Sequence, residues 1–159
     1  PGPVNLGYHV FAFWSAKYIW ISADRIANGA QTISKKLGPH ESEIFHVKPV
    51  SRSLLQYVGS ELHFTCGYEV ESFSSTEKMI AMQFKNETKR SGFAYFYIPK
   101  CTEEIDVKMG GMSVKAEVVT KLPKIHHNTE TYGGQIIRVW VSIHGSGSKH
   151  DGEVSIQSK

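Results

Sequence analysis

The chain predicts a mainly β protein: an antiparallel β-sandwich or jelly-roll-like fold of about eight strands with one early α-helix, at about residues 24–37. Three observations predict it. Apolar residues recur on every second position in one segment after another, clusters of glycine, proline and serine separate those segments at short intervals, and only one stretch changes to a helical period. A partly open barrel satisfies the same pattern, whereas the absence of alternating β and α units argues against a doubly wound sheet. No internal repeat or linker interrupts residues 1–159, so one domain is expected, with 1–6 and 145–159 mobile.

The clearest alternation is Ser60 to Glu71, where Leu62, Phe64, Cys66, Tyr68 and Val70 share one strand face and mostly polar residues take the other. This predicts a strand packed on a core by one face, with Gly67 as a candidate bulge. Tyr8 to Ile21 is rich in aromatic and branched residues on both faces and reads as one long strand, or two short ones broken near Ser15 to Lys17. Its second face needs a cover. The following helix, with Ile26, Ala30, Ile33 and Leu37 on one stripe, is the local candidate. Ser22 or Asp24 can cap its start, Lys35 and Lys36 complement its negative end, and Gly38-Pro39 stops it.

Pro49 gives the strand from Ile44 to Val50 an edge position, and Ser51 to Val58 carries no clear period. Ser72 to Thr76 reads as a turn. Strands follow at Lys78 to Lys85 and at Gly92 to Ile98, the latter with Phe93, Tyr95 and Tyr97 on one face. Gly110-Gly111 between Ile105 to Met109 and Met112 to Val119 is a hairpin signal, because the tight primed turns require positive φ. Leu122 to Thr131 reads as a polar loop, Gln135 to Ile143 as a strand of high β preference, and Glu153 to Gln157 as a short last strand.

Composition bounds the function. The net charge of +3 makes a weak global field, so attraction to phosphate or lipid headgroups needs local clustering. No apolar run approaches the roughly 18 residues of a membrane-spanning helix. Two cysteines, Cys66 and Cys101, lack zinc or redox spacing and are expected to be free thiols, which favours a reducing intracellular compartment.

No phosphate loop, dinucleotide fingerprint or nucleophile elbow is present. Glu69 with Glu71, and Glu103 and Glu104 with Asp106, are the only groupings that suggest a glycosidase pair, and solvent-facing carboxylates look the same in sequence. His63 lies on the strand face opposite Cys66 and makes no dyad with it. His126, His127, His144 and His150 with Asp151 form the one conceivable metal set, and solvated or capping histidines are the expectation; no cofactor is predicted. Trp14, Trp20, Trp140, Tyr95 and Tyr97 offer either core packing or a platform for sugar rings or bases.

Basic residues cluster at Lys35 and Lys36, at Lys85, Lys89 and Arg90, and at Lys121 and Lys124. A fold that joins two clusters would make a salt-sensitive phosphate-binding or anionic-lipid-binding stripe. These features favour a non-enzymatic binding or self-assembly protein, of viral coat or matrix type, that forms homo-oligomers and contacts nucleic acid or an anionic membrane surface. Phe11, Phe13, Trp14, Tyr18 and Trp20 are its expected interaction surface. A lectin-like carbohydrate-binding module is the alternative, and a hydrolase comes third.

Overall fold

Two strands with bulky residues on both faces sit at the centre of the molecule. In the computed structural model, which describes residues 6–29, 33–99, 104–127 and 130–158, β7 (Arg90–Ile98) and β11 (Glu130–Ile143) pair antiparallel from Arg90 opposite Ile143 to Ile98 opposite Gln135. They are the inner strands of a four-stranded sheet in the order β10 (Ala116–His127), β11, β7, β4 (Gln56–Ser60). Ala94, Phe96, Ile98, Ile137, Val139, Val141 and Ile143 fill the core on one face, while Tyr95, Tyr97 and Ile136 fill a second core on the other. Alternation that is apolar on both sides thus produces a middle layer.

The first core is closed by a five-stranded sheet in the order β5 (Val70–Ser75), β6 (Met79–Phe84), β12 (Glu153–Ser158), β8 (Ile105–Met109), β9 (Met112–Ser113). Ile80, Met82, Phe84, Val107, Val154 and Ile156 are its inward residues, each at most 2% exposed. The second core is closed by a three-stranded sheet in the order β2 (Lys17–Ile21), β1 (Tyr8–Ala12), β3 (Phe45–Pro49). Phe11 packs on Tyr95 with ring centroids 4.8 Å apart, and His9 on Tyr97 at 4.7 Å. The fold is therefore mainly β and sandwich-like, with three antiparallel sheets and twelve strands among the described residues in place of about eight.

Several elements differ from the expectation. The helix is a single turn, α1 (Ala23–Ala27), in place of residues 24–37. Ser22 does cap it, since its hydroxyl accepts from Arg25 N, but Gly29 turns left-handed at φ 63° and ends it. Ile33 and Leu37 remain exposed, and Ala30 lies outside the described residues. The second layer of Tyr8 to Ile21 is supplied instead by the four-stranded sheet; the stretch itself is the two short strands of one of its expected readings, β1 and β2, paired as a hairpin with a turn between them.

Residues 61–69 are not a strand. Turns closed by Cys66 N to His63 O and Val70 N to Gly67 O carry the chain from β4 to β5, Cys66 has φ 44°, and Phe64 and Tyr68 point outward at 48% and 60% exposure. The residues read as a turn at 72–76 belong mostly to β5, and the polar loop of 122–131 is largely the continued pairing of β10 with β11. The short last strand expected at Glu153 to Gln157 is present as β12, central in its sheet, with Val154 and Ile156 0% exposed. The Gly110-Gly111 hairpin is present, with φ 55° and 81° at the two glycines.

Candidate functional site

The hairpin of β1 and β2 splits the residues expected to form an interaction surface. Phe11 is 0% exposed and belongs to the second core. Phe13 packs against that core, and Trp14 stands edge-on to Phe13, 58% exposed. Tyr18 and Trp20 face inward, and the Trp20 indole donates to Leu6 O at 3.2 Å. Of the five, only Trp14 projects from the surface.

A buried histidine fixes the inner side of the hairpin. His9 Nε2 lies 3.2 Å from Gln56 Oε1, and that oxygen also accepts from Ser51 N while the Gln56 amide donates to Pro49 O. Nε2 therefore carries the hydrogen, and Nδ1, 2.9 Å from the Tyr18 hydroxyl, accepts from it. Burial depresses the His9 pKa to about 4 against the opposing pull of Gln56, with Lys48 adding to the depression, so the ring is neutral at pH 7. Burial also raises the Tyr18 phenol, with Tyr97 adding to it.

Glu43 clamps the hairpin turn. Its carboxylate accepts from Trp14 N at 2.8 Å and Ser15 Oγ at 2.7 Å, and pairs with Lys35. Burial opposes ionisation there, but these donors outweigh it and hold the carboxyl down to about 2.

The outer edge of this sheet is β2. Other sheet edges carry the devices that stop strands from pairing with foreign chains. β3 has Lys48 and Pro49; β10 has Pro123, Lys121, Lys124 and two register shifts; β4 and β5 each contain a shift; β9 is two residues long. β2 pairs with β1 in unbroken register and, apart from Lys17 at its first position, reads Tyr18, Ile19, Trp20, Ile21.

The structure sets the Lys121 and Lys124 cluster apart from the Lys85, Lys89 and Arg90 cluster. Lys35 is engaged by Glu43, Lys36 is exposed in the same segment, and Lys85 lies over the Tyr68 ring at 3.7 Å. Lys89 and Arg90 sit at the start of β7, while Lys121 pairs in register with Gln135, which faces Ile98 at the other end of that strand. Eight residues of strand separate these ends, about 27 Å. Lys124 lies beside Gly133 at the distant end with Lys121.

Of the aromatic platform, Tyr95 and Tyr97 are buried and Trp140 is half exposed. Trp140 stands edge-on to Phe93 at 5.0 Å, and the Arg138 guanidinium covers Phe93 at 4.1 Å while donating from Nε and Nη2 to Glu117 at 2.9 and 2.8 Å. The sequence places Phe93 on one face with Tyr95 and Tyr97, whereas it does not single out Arg138 and Glu117. A two-residue offset puts Arg138 on the same face as Trp140, but the pairing of β10 with β11 that joins Glu117 to Arg138 is a tertiary fact. On the outer face of the five-stranded sheet, a groove of about 600 Å³ is lined by Glu71, Ser74, Gln83, Asn86, Lys149 and Ser155, with no tryptophan.

The remaining expected chemistry is placed as follows. Glu69 is 0% exposed in the loop before β5, whereas Glu71 is exposed, so the two do not act as a strand-face pair. Asp106 lies 3.6 Å from Lys108, and Glu103 lies outside the described residues. Cys66 is a buried free thiol that burial pushes up to about 11; Cys101 lies outside the described residues. Asp151 accepts from His144 N, Ser146 N and Ser146 Oγ, which lowers its pKa against burial, and His150 pairs with Glu153 at 3.0 Å. The side chains of His126 and His127 lie outside the description. Among the described residues no three His, Cys, Asp or Glu side chains gather as metal ligands. Compared with family models, with curated proteins and with solved structures, the chain matches none.

Proposed function

We propose that this protein is a non-enzymatic assembly subunit, of the kind that builds coats or matrices, and that β2 accepts the same strand from a second copy. One observation carries the reading: β2 is an apolar sheet edge in unbroken register, whereas β3, β4, β5, β9 and β10 are each guarded or interrupted. Antiparallel pairing about a two-fold axis at Ile19 sets Tyr18 opposite Trp20 and Lys17 opposite Ile21. No like charges then face one another, and the interface is isologous. The length of β7 between Lys89 and Arg90 at one end and Lys121 and Lys124 at the other supports assembly over a phosphate-binding stripe that joins those two clusters.

Light scattering after size exclusion tests it. The wild type elutes as a dimer or larger, and Ile19→Lys, which sets two ammonium groups face to face at the two-fold axis, elutes as a monomer with an unchanged circular dichroism spectrum. A monomeric wild type at high micromolar concentration, or an Ile19→Lys variant that still assembles, refutes the proposal.

Trp140 supports a second reading, a lectin-like module. Its half-exposed indole beside Phe93 and the Arg138–Glu117 pair joins a stacking wall to planar hydrogen-bonding groups, which suits the apolar face and hydroxyls of a neutral sugar. Quenching or shift of tryptophan fluorescence by an oligosaccharide, lost in Trp140→Ala, is the expected result. An unchanged spectrum across a panel of neutral oligosaccharides removes this reading.

A further inference from the structure

The geometry points to a binding site for a soft monovalent metal ion, Cu(I) in class, between the β8–β9 hairpin and the loop before β12, with Met109, Met112, His144 and His150 as the donors. These four residues line one cavity of about 270 Å³. Met109 and Met112 are register partners across the hairpin, so their side chains lie side by side on one face, and the two glycines between them make the turn tight enough for this.

The hairpin tip is seated on the histidine loop. Gly110 N donates to Glu153 O at 2.9 Å, and a Cβ on Gly110 would stand 2.9 Å from His150 O, so only glycine allows this approach. Asp151 locks the loop through His144 N and Ser146, which fixes the backbone bearing both imidazoles.

Two further features select the ion. Glu153 lies 3.0 Å from His150 Nδ1 and holds the ring hydrogen there, which leaves the Nε2 lone pair for a metal, as outer-shell carboxylates do for ligating histidines. The Asp151 carboxylate is already occupied by backbone and hydroxyl donors, so the cavity offers thioether sulfur and imidazole nitrogen in place of the oxygens that Ca(II) and Mg(II) require.

Silver(I) is the diamagnetic probe. The chain has four methionines, and Met79 and Met82, both in β6, serve as internal references for methyl-labelled NMR. In chloride-free buffer, and in a Cys66→Ser, Cys101→Ser background that removes the thiols which would compete for the ion, one equivalent of Ag(I) is expected to shift the Met109 and Met112 methyl signals and the His144 and His150 ring nitrogens, with the Met79 and Met82 methyls unmoved. Glu153→Gln should weaken binding by about tenfold. Met109→Leu with Met112→Leu should abolish the histidine shifts while the two reference methyls keep their positions, which reports an intact fold. No shift at one equivalent, a shift of exposed Met79 in step with Met112, or histidine shifts that persist in the double variant each overturn the proposal.

Discussion

Replacing Tyr57 with phenylalanine tests the polar knot that holds residues 61–69. Glu69 is 0% exposed, and its carboxylate accepts from the Tyr57 hydroxyl at 2.5 Å, Ser60 Oγ at 2.9 Å and Gly67 N at 2.7 Å. Burial first, and then the Glu69 charge, raise the Tyr57 phenol well above its ordinary value, so it remains a donor throughout the accessible pH range. Phenylalanine keeps the ring contacts with Phe84 and Phe96 and removes only that donor. A hydrogen bond to a charged group contributes about 1.5–3 kcal/mol. In a domain of this size each 1 kcal/mol moves Tm by roughly 2–4 °C, so a fall of about 3–12 °C is expected.

The local readout is Cys66. It lies in the same loop, 4% exposed, with its thiol donating to Ser60 O, and alkylation requires the loop to open. Peptide-mapped alkylation under native conditions should therefore accelerate by roughly tenfold or more, the factor that corresponds to the lost hydrogen bond. An unchanged Tm refutes the claim that Tyr57 supports the buried carboxylate. A lowered Tm with Cys66 labelled no faster refutes the claim that this carboxylate holds the loop.

Phe11→Asp should abolish folding, as a spectrum without β structure would show, because it buries an unpaired charge under Tyr95, whereas Trp14→Asp at the exposed turn should leave the spectrum unchanged. His9 makes stability depend on pH: its folded pKa of about 4 lies below the unfolded value near 6.5, so the unfolded chain binds the extra proton between them. Stability should be full above about pH 6.5 and fall by about 3 kcal/mol as pH drops to 4, and urea midpoints of His9→Gln should lack that slope. Glu43 continues the loss at lower pH, since its depressed carboxyl stabilises the fold above its ordinary value and the stability disappears toward about pH 2. Gly59→Ala should lower Tm by several degrees, because a Cβ there would stand 2.7 Å from the Phe11 ring; an unchanged Tm would show that Phe11 has room to move.

What local chemistry decides was legible in the chain. The alternation in β6, β7 and β11, the Gly110-Gly111 turn, the Ser22 cap and the edge position of β3 at Pro49 each depend on residues a few positions apart, and each is present. Mainly β architecture follows from them. The longer periodic patterns misled because period alone does not show what a face packs against. The stripe from Ile26 to Leu37 had no partner, and short helices form in water only when tertiary packing supports them; Gly29 then adopted the left-handed conformation that the stripe ignored.

The alternation from Leu62 to Val70 was overridden for a different reason. Tyr57 and Ser60 of β4 provide donors for a carboxylate, and satisfying Glu69 in the interior folds the chain into turns that expose Phe64 and Tyr68. The assembly of three layers, the burial of Phe11, the unguarded edge at β2, the pairing of Glu117 with Arg138 and the meeting of Met109 and Met112 with His144 and His150 all join residues far apart in sequence. Sequence by itself determined strands such as β6, β7 and β11 and the tight Gly110-Gly111 turn, whose energies are local; only the tertiary structure decided which other segments paired and which faces met, because burial and hydrogen-bond satisfaction depend on the whole surrounding shell.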